Sequence, residues 1–205
     1  IWGVGAASQA QLDAAGIRNF DALARWARKD LIHRFGQIGD RLWHLARGED
    51  FRRVNPNEPM RSISAETTFN EDIVDRDLLD GHIWRLAEKV ADRTKAKNLA
   101  GRTVTLKLKR ADFTAITRRH TLREPTQTAD RLYREAADLL THVTERSAFR
   151  LIGVGLSDIV SAREADLTPD LLDPDAARRA SAERATDAIR ARFGPDAIVK
   201  GRSLR

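Results

Sequence analysis

Lys107 and Lys109 stand two residues apart in RTVTLKLKR, and Arg118 with Arg119 follows in FTAITRRHTL. Ammonium and guanidinium groups in such a cluster suit one chemistry above others, the neutralisation of phosphates on a polyanion. Alternate strand residues share a face, so the two lysines lie on one side, about 6.6–6.8 Å apart. Phosphates along one DNA strand advance about 3.4 Å each, so the spacing matches two steps. From Gly101 to Arg123 the chain carries Arg102, Lys107, Lys109, Arg110, Arg118, Arg119 and Arg123 against Asp112 alone. Two readings stay open: the cations keep an exposed sheet soluble and blunt its edge, or they grip phosphate. No aromatic residue is expected on that side. This argues against base stacking and for contacts to a duplex backbone, which position a protein without reading sequence.

A second candidate is Gly3-Val4-Gly5, just before a helical stretch. Paired glycines let a backbone approach an anion, and the following helix start offers unpaired N–H groups. A plain tight turn uses the same residues. Asp72, Asp75, Asp77 and Asp80 suggest a metal cluster, but acids at a helix N-terminus are favoured by its dipole, which is the reading taken. His33, His44, His82, His120 and His142 have no ligand spacing, and Trp26, Trp43 and Trp84 are expected in cores. These acids and histidines are therefore expected to form no metal site.

These groups need a folded support, and the composition allows one. The 205 residues are 41% hydrophobic and 32% charged, with a net charge of +6. No run approaches the roughly 20 apolar residues of a membrane span, and no signal peptide is visible. The absence of cysteine excludes disulfides and thiolate zinc sites and fits a reducing cytoplasm. The chain starts at Ile1 and its single methionine is Met60, so a fragment of a longer protein is expected.

Residues 1–50 read as several short helices punctuated by glycine, with NFDALARWARKD as one of them. The prolines of Asn55–Pro59 mark a linker. Beyond it RSISAETTF alternates as a strand. A helix capped by Asp75 or Asp77 aligns Leu79, Ile83, Leu86 and Val90. RTVTLKLKR pairs with FTAITRRHTL through an Ala111-Asp112 turn, and Thr128 caps a helix carrying Leu132, Tyr133, Ala136, Leu140 and Val143. FRLIGVGLS is a last strand. The order β-α-β-β-α-β predicts an α+β fold: a helical module, then a four-stranded antiparallel sheet with two helices on one face. An acidic stretch follows from Val160 to Asp175, and Ala176–Phe193 is a further helix.

The stretches IWGVG, LIHRFGQIGDRLWHLARGED, RSISAETTF, RTVTLKLKRADFTAITRRHTL and RLIGVGLS occur in the order found in one family. Across roughly residues 1–157 the chain resembles the C-terminal part of Y-family translesion DNA polymerases of the DinB, or DNA polymerase IV, type. The resemblance implies a thumb at 1–57, a little finger at 61–160, and an acidic linker, helix and tail at 161–205. It implies that Gly3, Val4 and Gly5 hold a primer phosphate, and that Arg61, Ser62, Ile63 and Ser64 meet the template backbone. Lys107, Lys109, Arg118 and Arg119 would meet further phosphates of double-stranded primer-template. The family's magnesium-binding carboxylates would precede Ile1, so this chain alone would bind DNA as a monomer without synthesising it. Asp170, Leu171 and Leu172 are the candidate peptide for the replicative sliding clamp, although the family's Gln and Phe anchors are missing. A non-catalytic, polymerase-like adaptor acting through protein partners is the alternative, and either would work in the cytoplasm.

Overall fold

Gly16, Gly36 and an extended Ala27 cut the first fifty residues into four short helices, α1 (Ala6–Ala14), α2 (Phe20–Ala24), α3 (Arg28–Phe35) and α4 (Gln37–Leu45). The computed structural model describes residues 1, 3–143, 147–165, 173–194 and 196–201. Their contacts divide the chain into two units, Ile1–Glu58 and Pro59–Arg205. In the first, Leu12, Ile17, Leu23, Leu31 and Leu42 form the core. NFDALARWARKD is not one helix. It breaks between α2 and α3, where Ala27 takes an extended conformation, and Phe20 at the start of α2 is exposed. Trp26 and Trp43 are half-buried rather than central. The Arg47 guanidinium lies 3.8 Å from the Trp43 ring centroid, so cations cover the rings where apolar groups were expected.

α3 and α4 meet backbone to backbone. Gly39 is buried, and a Cβ there would stand 2.0 Å from the Leu31 carbonyl oxygen. Gly39→Ala should therefore force the two helices apart and lower the stability of this unit by about 2–3 kcal/mol, the scale of overpacking. Thermal unfolding followed by circular dichroism checks it, and an unchanged midpoint would refute the close approach.

The second unit follows the expected order: β1 (Ser62–Ile73), α5 (Arg76–Ala96), β2 (Leu99–Arg110), β3 (Ala115–Thr126), α6 (Ala129–Thr141), β4 (Phe149–Ser161) and α7 (Ala176–Phe193). The strands pair antiparallel in the order β1-β4-β2-β3. Val104, Leu106 and Leu108 of β2 and Ile152, Val154 and Leu156 of β4 are buried against α5 and α6. Leu79, Ile83, Leu86 and Val90 of α5 and Leu132, Ala136 and Leu140 of α6 meet them from the helical side. Trp84 is buried here as expected and packs edge-on to Tyr133, with ring centroids 5.1 Å apart.

Two local expectations change. The β2–β3 connection runs through Ala111–Thr114, longer than an Ala-Asp turn. Phe113 takes φ 68°, and the Asp112 carboxylate accepts from the Thr114 N–H at 2.9 Å, which holds its carboxyl below the usual range. The second concerns the start of α6. Thr128 occupies the cap position, but its side chain makes no capping bond. Its hydroxyl turns to Thr126, 3.1 Å away, and the Ala129 and Asp130 N–H groups donate instead to the Glu183 carboxylate at 2.8 and 3.2 Å.

Glu183 belongs to α7, which packs on α6 and reaches α5 through ion pairs. Lys95 of α5 pairs with Glu183 at 2.5 Å and with Asp187 at 2.6 Å. Burial alone would lower the Lys95 pKa, but the Asp187 and Glu183 carboxylates outweigh it and raise it above the ordinary lysine value. Arg179 binds Asp130 at 2.8 Å and also pairs with Asp173, and Arg190 binds Glu88 at 3.1 Å. Among the described residues of α7 only Glu183 is buried, so polar contacts hold this helix in place.

Candidate nucleic-acid interface

The sheet face opposite α5 and α6 is built from rows of directly paired residues, which place their side chains on the same side. One row reads Ser62, Ser157, Thr103, Thr121 across the four strands. The next reads Ser64, Gly155, Thr105, Arg119, and the third Glu66, Gly153, Lys107, Thr117. At about 4.8 Å per strand spacing the rows span about 14 Å. The face thus carries hydroxyls, the cations Lys107 and Arg119 and the acid Glu66, with the apolar side of β2 buried behind it.

Glycine occupies the centre of two rows. Gly153 and Gly155 interrupt a strand interior, where glycine often marks close approach by another chain or ligand. The result is a trough along β4 between the side chains of β1 and β2. GVG inside an otherwise apolar strand is the signal by which these positions could have been found in the sequence.

The expected site residues divide. Lys107, Lys109 and Arg119 share the open face. Arg118 pairs with Leu106, so it projects to the helical side, at the exposed edge strand β3. Its neighbour His120 shows the same orientation by meeting Glu135 of α6 at 2.7 Å. Ser62 and Ser64 stand on the open face, and Arg61 is exposed just before them. Ile63 is 5% exposed and sits in the core, which leaves only its backbone to offer a contact. The Ser64 carbonyl accepts from Arg93 of α5 at 2.6 Å.

Phe113 was not foreseen near this face. Its ring is exposed at the hairpin end, with the Arg150 guanidinium 4.3 Å and the Lys109 ammonium 5.7 Å from its centroid. Cation–π attraction thus gathers Lys109, which stands in a fourth row with Thr68, Leu151 and Ala115, and Arg150 at this end of the face. Nothing in the alternation of β2 announced this, because Phe113 and Arg150 meet only through strand pairing.

In the first unit, Gly3 has φ 90° and Val4 N–H donates to the Ile1 carbonyl at 3.1 Å, forming the turn before α1. Gly5 is the extended residue at the helix start, with no side-chain cap. The Arg41 guanidinium lies beside Gly3, 3.4 Å from where a Cβ would stand, and adds a cation to the hairpin.

The acids near α5 have other work. The Asp75 carboxylate accepts from the Asp77 N–H at 2.7 Å, and Asp80 accepts from the Tyr133 hydroxyl at 2.8 Å. Among the described residues no group of three or more His, Cys, Asp or Glu side chains could hold a metal ion, so these acids do not fit a divalent site. No helix among them is long and apolar enough to cross a membrane. Asp170, Leu171 and Leu172 lie outside the described residues.

Comparison with known proteins agrees with this architecture. Residues 60–169 match the C-terminal domain of the impB/mucB/samB family. The chain is 47% identical over 98% of its length to DNA polymerase IV 1 of Mesorhizobium japonicum, and 44% identical over 98% to DNA polymerase IV of Brucella melitensis. It spans about half the length of these relatives, 46% and 45%. The fold resembles a Y-family DNA polymerase chimera with a TM-score of 0.60 at 19% identity, over 78% of this chain and 46% of that one.

Proposed function

The chain belongs to the impB/mucB/samB family, within the DNA polymerase IV type of the Y-family polymerases, and on that premise we propose that it is the DNA-gripping C-terminal part of an error-prone translesion polymerase. The observation that carries this reading is the open face, with Lys107, Lys109 and Arg119 set among Ser and Thr hydroxyls around the Gly153–Gly155 trough. Its width of about 14 Å compares with the roughly 12 Å major groove of B-DNA. Hydroxyls and cations without a stacking platform in the rows suit phosphate and sugar rather than base edges.

In this reading residues 1–57 act as the thumb, with Gly3, Val4 and Gly5 offering backbone N–H groups to a primer phosphate. Residues 61–160 act as the little finger, and 161–205 carry the linker, α7 and tail. Arg61, Ser62 and Ser64, with the backbone of Ile63, face one strand of primer-template, while Lys107, Lys109 and Arg119 face further phosphates. Arg118 reaches phosphate from the edge of β3 rather than from the open face. The parent enzyme carries out templated nucleotidyl transfer in DNA repair and damage tolerance, as a monomer in the cytoplasm. A divalent metal, magnesium in this reading, supplies Lewis-acid stabilisation there when bound, and Asp72, Asp75, Asp77 and Asp80 take no part. The peptide at Asp170, Leu171 and Leu172 recruits the sliding clamp.

The test is a salt titration of duplex binding by the 205-residue chain, read by fluorescence anisotropy. Neutralising four phosphates gives a log–log slope of about −3.6, equal for unrelated sequences. Affinity indifferent to salt would refute the reading.

A further inference from the structure

The open face carries an acid on its edge strand β1. The Glu66 carboxylate lies 2.7 Å from the Lys107 ammonium, on strands separated by β4. The row between them holds Gly153, and this absence of a side chain is what lets the pair form. A Cβ at Gly153 would stand 3.0 Å from the Glu66 Cβ and 3.6 Å from its Oε2. Both partners remain exposed, with side-chain exposures of 39% for Lys107 and 52% for Glu66. The bridge therefore crosses the trough on its solvent side, in the space a nucleic-acid backbone would need.

We propose that Glu66 is a built-in competitor for DNA phosphate, holding Lys107 across the trough in the free protein and giving it up when a backbone phosphate arrives. The inference rests on the DNA-gripping reading and adds a residue that weakens the grip. A carboxylate carries the charge and acceptor oxygens of a phosphodiester in miniature, so it satisfies the same ammonium. An exposed pair of this kind is weak enough to exchange, being screened by water and salt. The face then holds duplex less tightly than its cations allow, as suits a protein that must release and re-engage DNA.

The exchange has a signature in salt dependence. A lysine that leaves a carboxylate for a phosphate frees that phosphate's counterion, but the uncovered carboxylate takes up a cation. Lys107 then adds little to the measured slope while Glu66 is present. Glu66→Gln, which keeps shape but removes charge, should tighten duplex binding about threefold to fivefold at low salt, the effect of one exposed ion pair. It should also steepen the log–log slope by about 0.9. Lys107→Gln should cost little in the natural chain and markedly more in the Glu66→Gln background, and Glu66→Thr should repeat the gain with a strand-favouring residue. Melting temperatures of all variants separate grip from folding. Salt-dependent binding by the natural chain with an unchanged slope in Glu66→Gln, or weaker binding by that variant, would overturn the competitor role alone. Failure of the natural chain to bind in a salt-dependent way would remove the DNA reading itself, and the competitor with it.

Discussion

Changing Lys107 and Lys109 together to glutamate should lower duplex affinity by about a hundredfold at low salt, whatever the sequence of the duplex. A unit charge about 4 Å from a phosphate is worth about 1 kcal/mol in water, and reversal swings each site by about twice that. Glu66 already offsets part of the Lys107 contribution, and a net loss of about 2.8 kcal/mol corresponds to a hundredfold. The log–log salt slope should flatten at the same time, because fewer phosphates lose their counterions. The fold should survive. Both side chains point away from the core, and Val104, Leu106 and Leu108 beneath them are untouched. Anisotropy on two unrelated duplexes, with and without added salt, measures all three effects. A loss confined to one duplex would mean that the lysines read bases, and no loss would move the grip elsewhere.

Glu183→Ala should produce the largest change in the second unit that leaves the open face alone. The buried carboxylate caps the first two N–H groups of α6 and neutralises Lys95. Its removal orphans the two backbone donors and leaves Lys95 with Asp187 alone. Losing a helix cap costs about 1 kcal/mol, and stripping the partner from a buried charge costs about 3–5 kcal/mol. Lys95 is 25% exposed and keeps Asp187, so the expected total is about 2–3 kcal/mol. Because α7 buries no apolar side chain among its described residues, it should detach before the sheet melts. Hydrogen exchange at Ala129 and Asp130 should accelerate, and protease should cut within Ala176–Phe193, while DNA affinity stays within about twofold. Glu183→Gln should fall between, since an amide oxygen still accepts from α6 but leaves Lys95 charged without its closer partner. Unchanged exchange at Ala129 would show that α6 is capped by other means. The Lys95 ion pairs should persist into alkaline solution. A raised lysine pKa adds stability that is complete below the unfolded value and disappears only as pH climbs through the folded one.

Much of this protein is legible along the chain. Alternation in RTVTLKLKR separates Val104, Leu106 and Leu108 from Lys107 and Lys109, and the spacing of Leu79, Ile83, Leu86 and Val90 selects the buried stripe of α5. Such patterns are local: backbone geometry alone decides which neighbours share a face. The same rule separates Arg118 from Arg119, which as consecutive strand residues must point to opposite sides. Other features belong to the tertiary structure alone. Lys107 meets Glu66 from 41 positions away, and Glu183 reaches Ala129 across 54. Which side chains face each other across a sheet depends on strand order and register, and these are settled by burial of the whole core rather than by any segment. A helix start looks the same in sequence whether its N–H groups are capped by the next residue or by a distant helix. Thr128 therefore reads as a sufficient cap in the sequence, and only the tertiary structure brings in the carboxylate from α7.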